Sequence, residues 1–159
     1  MYLTPKFNHL ANVECFGDFD TKKVKVQIEL VHPNDTKKKD ADVQIDVKTL
    51  DPDNPIKPLT TVGTFRKTIK LSNKNLTESL QTLDLTDFRA WSPESPNLYL
   101  AEVKLYDEEG KNVTHGWNER FGIQKLEVRG KQFYLNGKPY LLRGYGDDYV
   151  YPETFISPI

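Results

Sequence analysis

The side chains able to do chemistry are few and widely spaced. Asp147 and Asp148 follow an apolar strand, Tyr140 to Arg143, through Gly144-Tyr145-Gly146. Adjacent residues on an extended chain point to opposite faces, so the two carboxylates cannot act together on one atom. Taken alone they read as an exposed acidic loop. Gly144-Tyr145-Gly146 is only G-x-G, without the third glycine and helix start that a dinucleotide needs. His9, His32 and His115 lack the Glu-x-x-His or His-x-x-x-His spacing of metal ligands, so neither a metal site nor a cofactor is expected. His115 alternates with Val113 and Trp117, the pattern of a structural histidine in or near a core. Cys15, the single cysteine, reads as a small buried hydrophobe, and no G-x-S-x-G elbow supports a serine hydrolase.

The elements that would position these groups are strands. Lys23 to Val31 alternates with period two, Val24, Val26, Ile28 and Leu30 to one side and Lys25, Gln27 and Glu29 to the other. Val43, Ile45 and Val47 repeat the pattern, as do Phe65 to Leu71 and Tyr99, Ala101, Val103 and Leu105. Ala11 to Phe16, Leu76 to Leu85 and Asn112 to Arg120 complete about seven short antiparallel strands, the signature of an all-β immunoglobulin-like β-sandwich. Asp51 to Pro58 reads as a Pro- and Asp-rich loop and Lys37-Lys38-Lys39-Asp40 as a solvated one. The prolines of Trp91-Ser92-Pro93-Glu94-Ser95-Pro96 predict a rigid crossover without sheet pairing. After the sandwich come two strands, Leu126 to Arg129 and Gln132 to Leu135. Asn136-Gly137 then turns the chain into Tyr140 to Arg143, because both residues tolerate the positive φ of a type I′ hairpin.

The totals exclude several classes. Lys and Arg number 22 against 23 Asp and Glu, a net charge of -1, so a nucleic-acid or anionic-membrane partner is not expected. No stretch reaches the roughly 20 apolar residues of a membrane span, and Met1 to Asn12 shows no signal-peptide pattern. Three Asn-x-Thr triplets, at Asn34, Asn75 and Asn112, are short enough to arise by chance.

Trp91-Ser92-Pro93-Glu94-Ser95-Pro96-Asn97-Leu98-Tyr99, then Arg120-Phe121-Gly122-Ile123, Leu135-Asn136-Gly137-Lys138-Pro139 and Leu142-Arg143-Gly144 together resemble the family 2 glycoside hydrolases. Order and spacing carry the resemblance over about residues 86–146. It implies an immunoglobulin-like sandwich over residues 1–121, then a linker hairpin and the first strand of a truncated (β/α)8 barrel over 122–159. The family's β-galactosidases, β-glucuronidases and β-mannosidases are retaining enzymes whose two glutamates lie on later barrel strands. No catalytic residue is therefore expected in this chain, which should be inactive alone. Its partners would be the remaining domains of a parent glycosidase, which in turn takes the glycoside or oligosaccharide substrate. Where many members carry a histidine facing the sugar, this sequence has Asp147 and Asp148. At the C-terminal end of a barrel strand they become candidate hydroxyl acceptors. Trp91 is either a sugar-stacking residue or, as the resemblance suggests, a structural tryptophan closing the sandwich.

The rival from another class is a free-standing immunoglobulin- or fibronectin-like module binding carbohydrate or protein. Such a module should end near Arg120, whereas Phe133, Leu135, Tyr140, Leu141 and Leu142 continue the apolar pattern. With no barrel to bury them, these side chains predict docking or self-association of the tail. A parent with an upstream signal would be periplasmic or extracellular, and otherwise cytoplasmic.

Overall fold

The computed structural model describes residues 8–32, 40–71, 76–107 and 110–144. Lys37-Lys38-Lys39, Asp147 and Asp148 lie outside them. The described residues form strands and connections, with no helix. One sheet orders β1 (His9–Asp18), β2 (Lys23–Val31) and β5 (Leu76–Asp84) as β1-β2-β5. The other contains β3 (Asp40–Asp51), β4 (Asn54–Lys70), β8 (Tyr99–Tyr106) and β9 (Val113–Phe121), ordered β4-β3-β8-β9. All pairs are antiparallel. Compared with an antibody constant domain, the fourth strand has left the fifth and joined the third.

The alternation seen in the sequence decides which faces meet. Val24, Val26, Ile28 and Leu30 of β2 lie against Val43, Ile45 and Val47 of β3 and Ala101, Val103 and Leu105 of β8, all fully or almost fully buried. Each such side chain contributes roughly 1.5–3 kcal/mol by leaving water. Behind β3 the outer face is polar and satisfied within itself. Asp46 is buried there because it accepts hydrogen bonds from Gln44 Nε2 at 2.7 Å and Thr64 Oγ1 at 3.1 Å.

Two expectations change. Asp51 to Pro58 is not a loop but a paired ribbon, with β4 beginning at Asn54 and Leu50 opposite Pro58. The prolines are tolerated because β4 is an edge strand, whose outward N–H has no ladder bond to lose. The Trp91–Pro96 segment also pairs, as β6 (Trp91–Ser92) and β7 (Ser95–Pro96). Pro93 opens their tight turn, a position its fixed φ favours, and Ser92 Oγ accepts from Ser95 N–H at 3.2 Å.

Where β8 begins, Tyr99 is 1% exposed and its ring stacks on Phe121 at 5.5 Å. Its phenol oxygen accepts from Arg89 N–H at 2.6 Å, and its hydrogen is within reach of the Arg89 and Asp87 carbonyls. This is the tyrosine corner of immunoglobulin-like sandwiches, which ties the incoming crossover to the core. Burial raises the phenol's pKa, keeping it protonated as the donor.

A separate three-stranded sheet follows: β10 (Leu126–Arg129), β11 (Gln132–Leu135) and β12 (Lys138–Tyr140). Asn136 and Gly137 make its second turn with φ of 53° and 78°, as the dipeptide predicts. The third strand is Lys138–Tyr140 rather than Tyr140 to Arg143, since pairing with β11 is complete once Phe133 meets Tyr140.

Candidate functional site at the sandwich–hairpin junction

The joint where the hairpin sheet leaves the sandwich is built from Trp91, Gly122, Ile123, Lys125 and Asn136. Ile123 is fully buried, and it packs so closely on the β1 backbone that any side chain at Gly17 would overlap it. Gly122 is also close-packed, since a Cβ there would come within 3.2 Å of Trp91, a tight contact rather than an overlap. Trp91 N–H donates to the Ile123 carbonyl at 2.8 Å.

Asn136 completes the joint with three hydrogen bonds. Its N–H donates to the Lys125 carbonyl at 2.8 Å, its Oδ1 accepts from Lys125 N–H at 2.9 Å, and its Nδ2 donates to the Trp91 carbonyl at 2.9 Å. The residue therefore sets the turn and clasps the crossover in one position. Asparagine suits both tasks, because it tolerates the left-handed backbone and offers an acceptor and a donor together. Lys125 Nζ also reaches Asp20 Oδ2 in the β1–β2 turn at 2.6 Å and Glu127 Oε1 at 3.2 Å. Its hydrogen bonds to Asp20 and then Glu127 hold its pKa above the usual lysine value. Glu127 is held low by Lys125 and then Arg129. Such a joint fixes orientation: both polar atoms of the Asn136 side chain are engaged, and Lys125 is paired with Asp20 and Glu127.

The hairpin sheet fixed there has two unlike faces. Glu127, Arg129, Gln132 and Tyr134 share one, with Arg129 paired to Glu127 and lying 4.7 Å from the Tyr134 ring centre. Register puts Leu126, Val128, Phe133 and Tyr140 on the other, where Leu126 is 52% and Val128 64% exposed. Leu141, 79% exposed, and Leu142 border the same hollow as Phe133 and Tyr140.

The residues singled out from the sequence fare differently. Asp147 and Asp148 lie outside the described residues. His9 and His115 come together, ring centres 6.2 Å apart, but His115 Nδ1 accepts from Leu10 N–H at 3.2 Å and so bridges β9 to β1, a structural role. His32 is buried. Among the described residues no three His, Cys, Asp or Glu side chains gather as a metal site. Cys15 packs against the core, and burial, followed by the charge of Glu119, pushes its thiol up to about 12, which keeps it from acting as a thiolate. Trp91 is half-buried against Gly122, as a structural tryptophan would be. Sequence reasoning missed the tyrosine corner, Gly17 and the two side-chain bonds of Asn136. The aromatic opening strand β8 was a signal for the first. Nothing marked Gly17, whose partner is 106 positions away in the chain.

Comparison with known proteins agrees with this geometry. The family model for Glycosyl hydrolases family 2 matches residues 8–124. A beta-galactosidase of Vibrio vulnificus is 43% identical over 75 residues, 46% of this chain and 7% of that protein. A beta-glucuronidase of Streptococcus agalactiae is 34% identical over 76 residues, 47% of this chain and 12% of that protein. The chain thus spans a small part of the curated relatives it matches. Among solved structures, a glycosyl hydrolase family 2 member from Bacteroides cellulosilyticus superposes with a TM-score of 0.65 at 23% identity, over 86% of this chain and 18% of that one. Bifidobacterium dentium beta-glucuronidase gives 0.55 at 20% identity, over 86% and 22%. At these identities the structural likeness speaks for the fold, and the sequence match carries the family: this chain belongs to the glycosyl hydrolases of family 2.

Proposed function

We propose that the chain serves as the immunoglobulin-like domain of a larger retaining glycoside hydrolase. Residues 1–121 form the sandwich, and 122–159 form the hairpin and entry strand of a catalytic (β/α)8 barrel. Its role is structural: it presents the hairpin at a fixed angle as the seat for the next domain. The observation that supports this is the exposed apolar side chains Leu126, Val128 and Phe133 on one face of the β10–β12 sheet, which is latched by Asn136 and Lys125. A three-stranded sheet gains stability by covering such a face, and contiguous exposed apolar surface marks an interaction site.

Retaining hydrolysis needs two carboxyl groups about 5–5.5 Å apart, which in this reading stand on later barrel strands. Asp147 and Asp148 would then lie at the C-terminal end of the first barrel strand, as hydroxyl acceptors for the glycoside. β-Galactosides are the first substrate class to examine, because a beta-galactosidase is among the relatives that match at 43% identity, and β-glucuronides the second. The test measures nitrophenol release from p-nitrophenyl β-galactoside and β-glucuronide. The 159-residue chain should release none, and the product of the same gene with its in-frame continuation should turn over one of them. Turnover by the 159-residue chain alone would overturn the structural role, and a continuation inert on both would overturn the choice of these two substrate classes.

A further inference from the structure

A second concave surface lies beside the junction. The β1–β2 turn, the β6–β7 turn and β12 enclose a half-open cleft of about 810 Å³. That is the size of a small-ligand site, and such sites favour the boundary between packed units. Its apolar walls are Phe88, held edge-to-face against Phe19 at 5.7 Å, and Tyr140. Its polar lining includes Lys22, Lys138, Glu94 and Ser95.

The charges in this cleft differ from those around it. Lys23 pairs with Asp84 at 3.1 Å, Arg89 with Asp87 at 2.6 Å and Lys125 with Asp20 at 2.6 Å. Lys22, Lys138 and Glu94 line the cleft and have no ion-pair partner among the described residues. Lys22 also holds a φ of 58°, in the left-handed region.

We propose that this cleft is an accessory binding site for an acidic saccharide, a pyranose ring bearing a carboxylate. The ring's apolar face lies against Phe88 and Tyr140, its carboxylate takes charge-assisted hydrogen bonds from Lys22 and Lys138, and its hydroxyls meet Glu94 and Ser95. Each alternative ligand wastes part of the lining. A bare inorganic anion leaves the aromatic walls wet, and a neutral sugar gives the two ammonium groups only hydroxyl acceptors, without the charge-assisted bond of a carboxylate. An aromatic acid offers no hydroxyl to Glu94. Tyr140 also belongs to the hairpin's apolar face, so the site is proposed for the 159-residue chain and would compete with a domain seated on that face.

The test titrates the full chain with methyl β-D-glucuronide and with methyl β-D-glucoside, a pair differing only at the carboxylate, and follows backbone amides by NMR. The uronide should bind saturably, with shifts confined to the cleft and an affinity at least about fivefold above the glucoside, the size of one exposed ion pair. Added salt should weaken it. The Lys22→Gln/Lys138→Gln double variant, altered only at exposed side chains, should keep the parent spectrum and lose at least about fivefold in affinity. Equal binding of the glucoside, unchanged binding by the double variant or no saturable shift would overturn the proposal. Sodium acetate titrating the same amides as tightly as the uronide would overturn its saccharide half.

Discussion

Replacing Asn136 separates the three tasks the residue performs at the junction. Asn136→Gly keeps the left-handed backbone but removes Oδ1 and Nδ2, leaving Lys125 N–H and the Trp91 carbonyl without their partners. A buried group left unsatisfied costs about 1–3 kcal/mol. Both groups here are partly buried, so water restores some of that, and the pair should lose about 2–3 kcal/mol. Asn136→Ala removes the same bonds and adds about 1 kcal/mol for a Cβ in the left-handed region, giving about 3–4 kcal/mol. Asn136→Asp retains the acceptor for Lys125 N–H and tolerates the backbone, but turns a donor towards the Trp91 carbonyl into a second acceptor, so about 1–2 kcal/mol is expected. The predicted order of harm is Ala, Gly, Asp. Because the hairpin can loosen without unfolding the sandwich, hydrogen exchange at the Trp91 and Lys125 amides is the sensitive reading, with urea unfolding for the global share. If all three variants exchanged like the parent, or Gly proved worse than Ala, the clasp would not be what holds the hairpin.

Gly17→Ala places a methyl group into fully buried Ile123 and should lower stability by about 1–3 kcal/mol in urea unfolding. Tyr99→Phe keeps the stacking on Phe121 but strands Arg89 N–H, and should cost about 1–3 kcal/mol by the same measurement. Partial burial raises the Glu102 carboxyl, but hydrogen bonds from Lys48 at 2.7 Å and Lys104 at 3.2 Å outweigh it and hold the group below its ordinary 4.5. A depressed folded value means the unfolded chain takes the proton first. The contribution of these two pairs, about 1 kcal/mol, is thus complete above the ordinary value and lost as pH falls through the folded one. Unfolding midpoints of the parent and Glu102→Gln should converge over that range. The 159-residue chain should self-associate through the hairpin's apolar face, and a version ending at Ile123 should run as a monomer in sedimentation. Identical behaviour of the two would count against that surface.

The sandwich was legible because its core is written in period two. Lys23 to Val31 is a strand over the residues its alternation marks, and Val43, Ile45, Val47, Val103 and Leu105 all face inward. The Asn136-Gly137 turn was legible because few residue pairs accept two positive φ values in succession. Proline misled the reading twice, at Pro55 and Pro58 on an edge strand and at Pro93 and Pro96 beside a tight turn. A proline shows only that one N–H is missing, and whether that N–H was needed depends on which strand lies alongside. The junction was half legible. Trp91, Gly122, Ile123 and Asn136 stood out as a spaced set, but the bonds uniting them span up to 45 residues, and their directions depend on the packed structure. Lys125 and Asp20 meet across 105 residues, with no local pattern to announce them.

Sequencing the gene immediately downstream of the Ile159 codon would decide whether this domain works as part of a glycosidase. The family reading predicts an open frame continuing through a (β/α)8 barrel, with two glutamates at the ends of later strands. A stop codon directly after Ile159 would contradict it and leave the sandwich with its hairpin as a binding module in its own right.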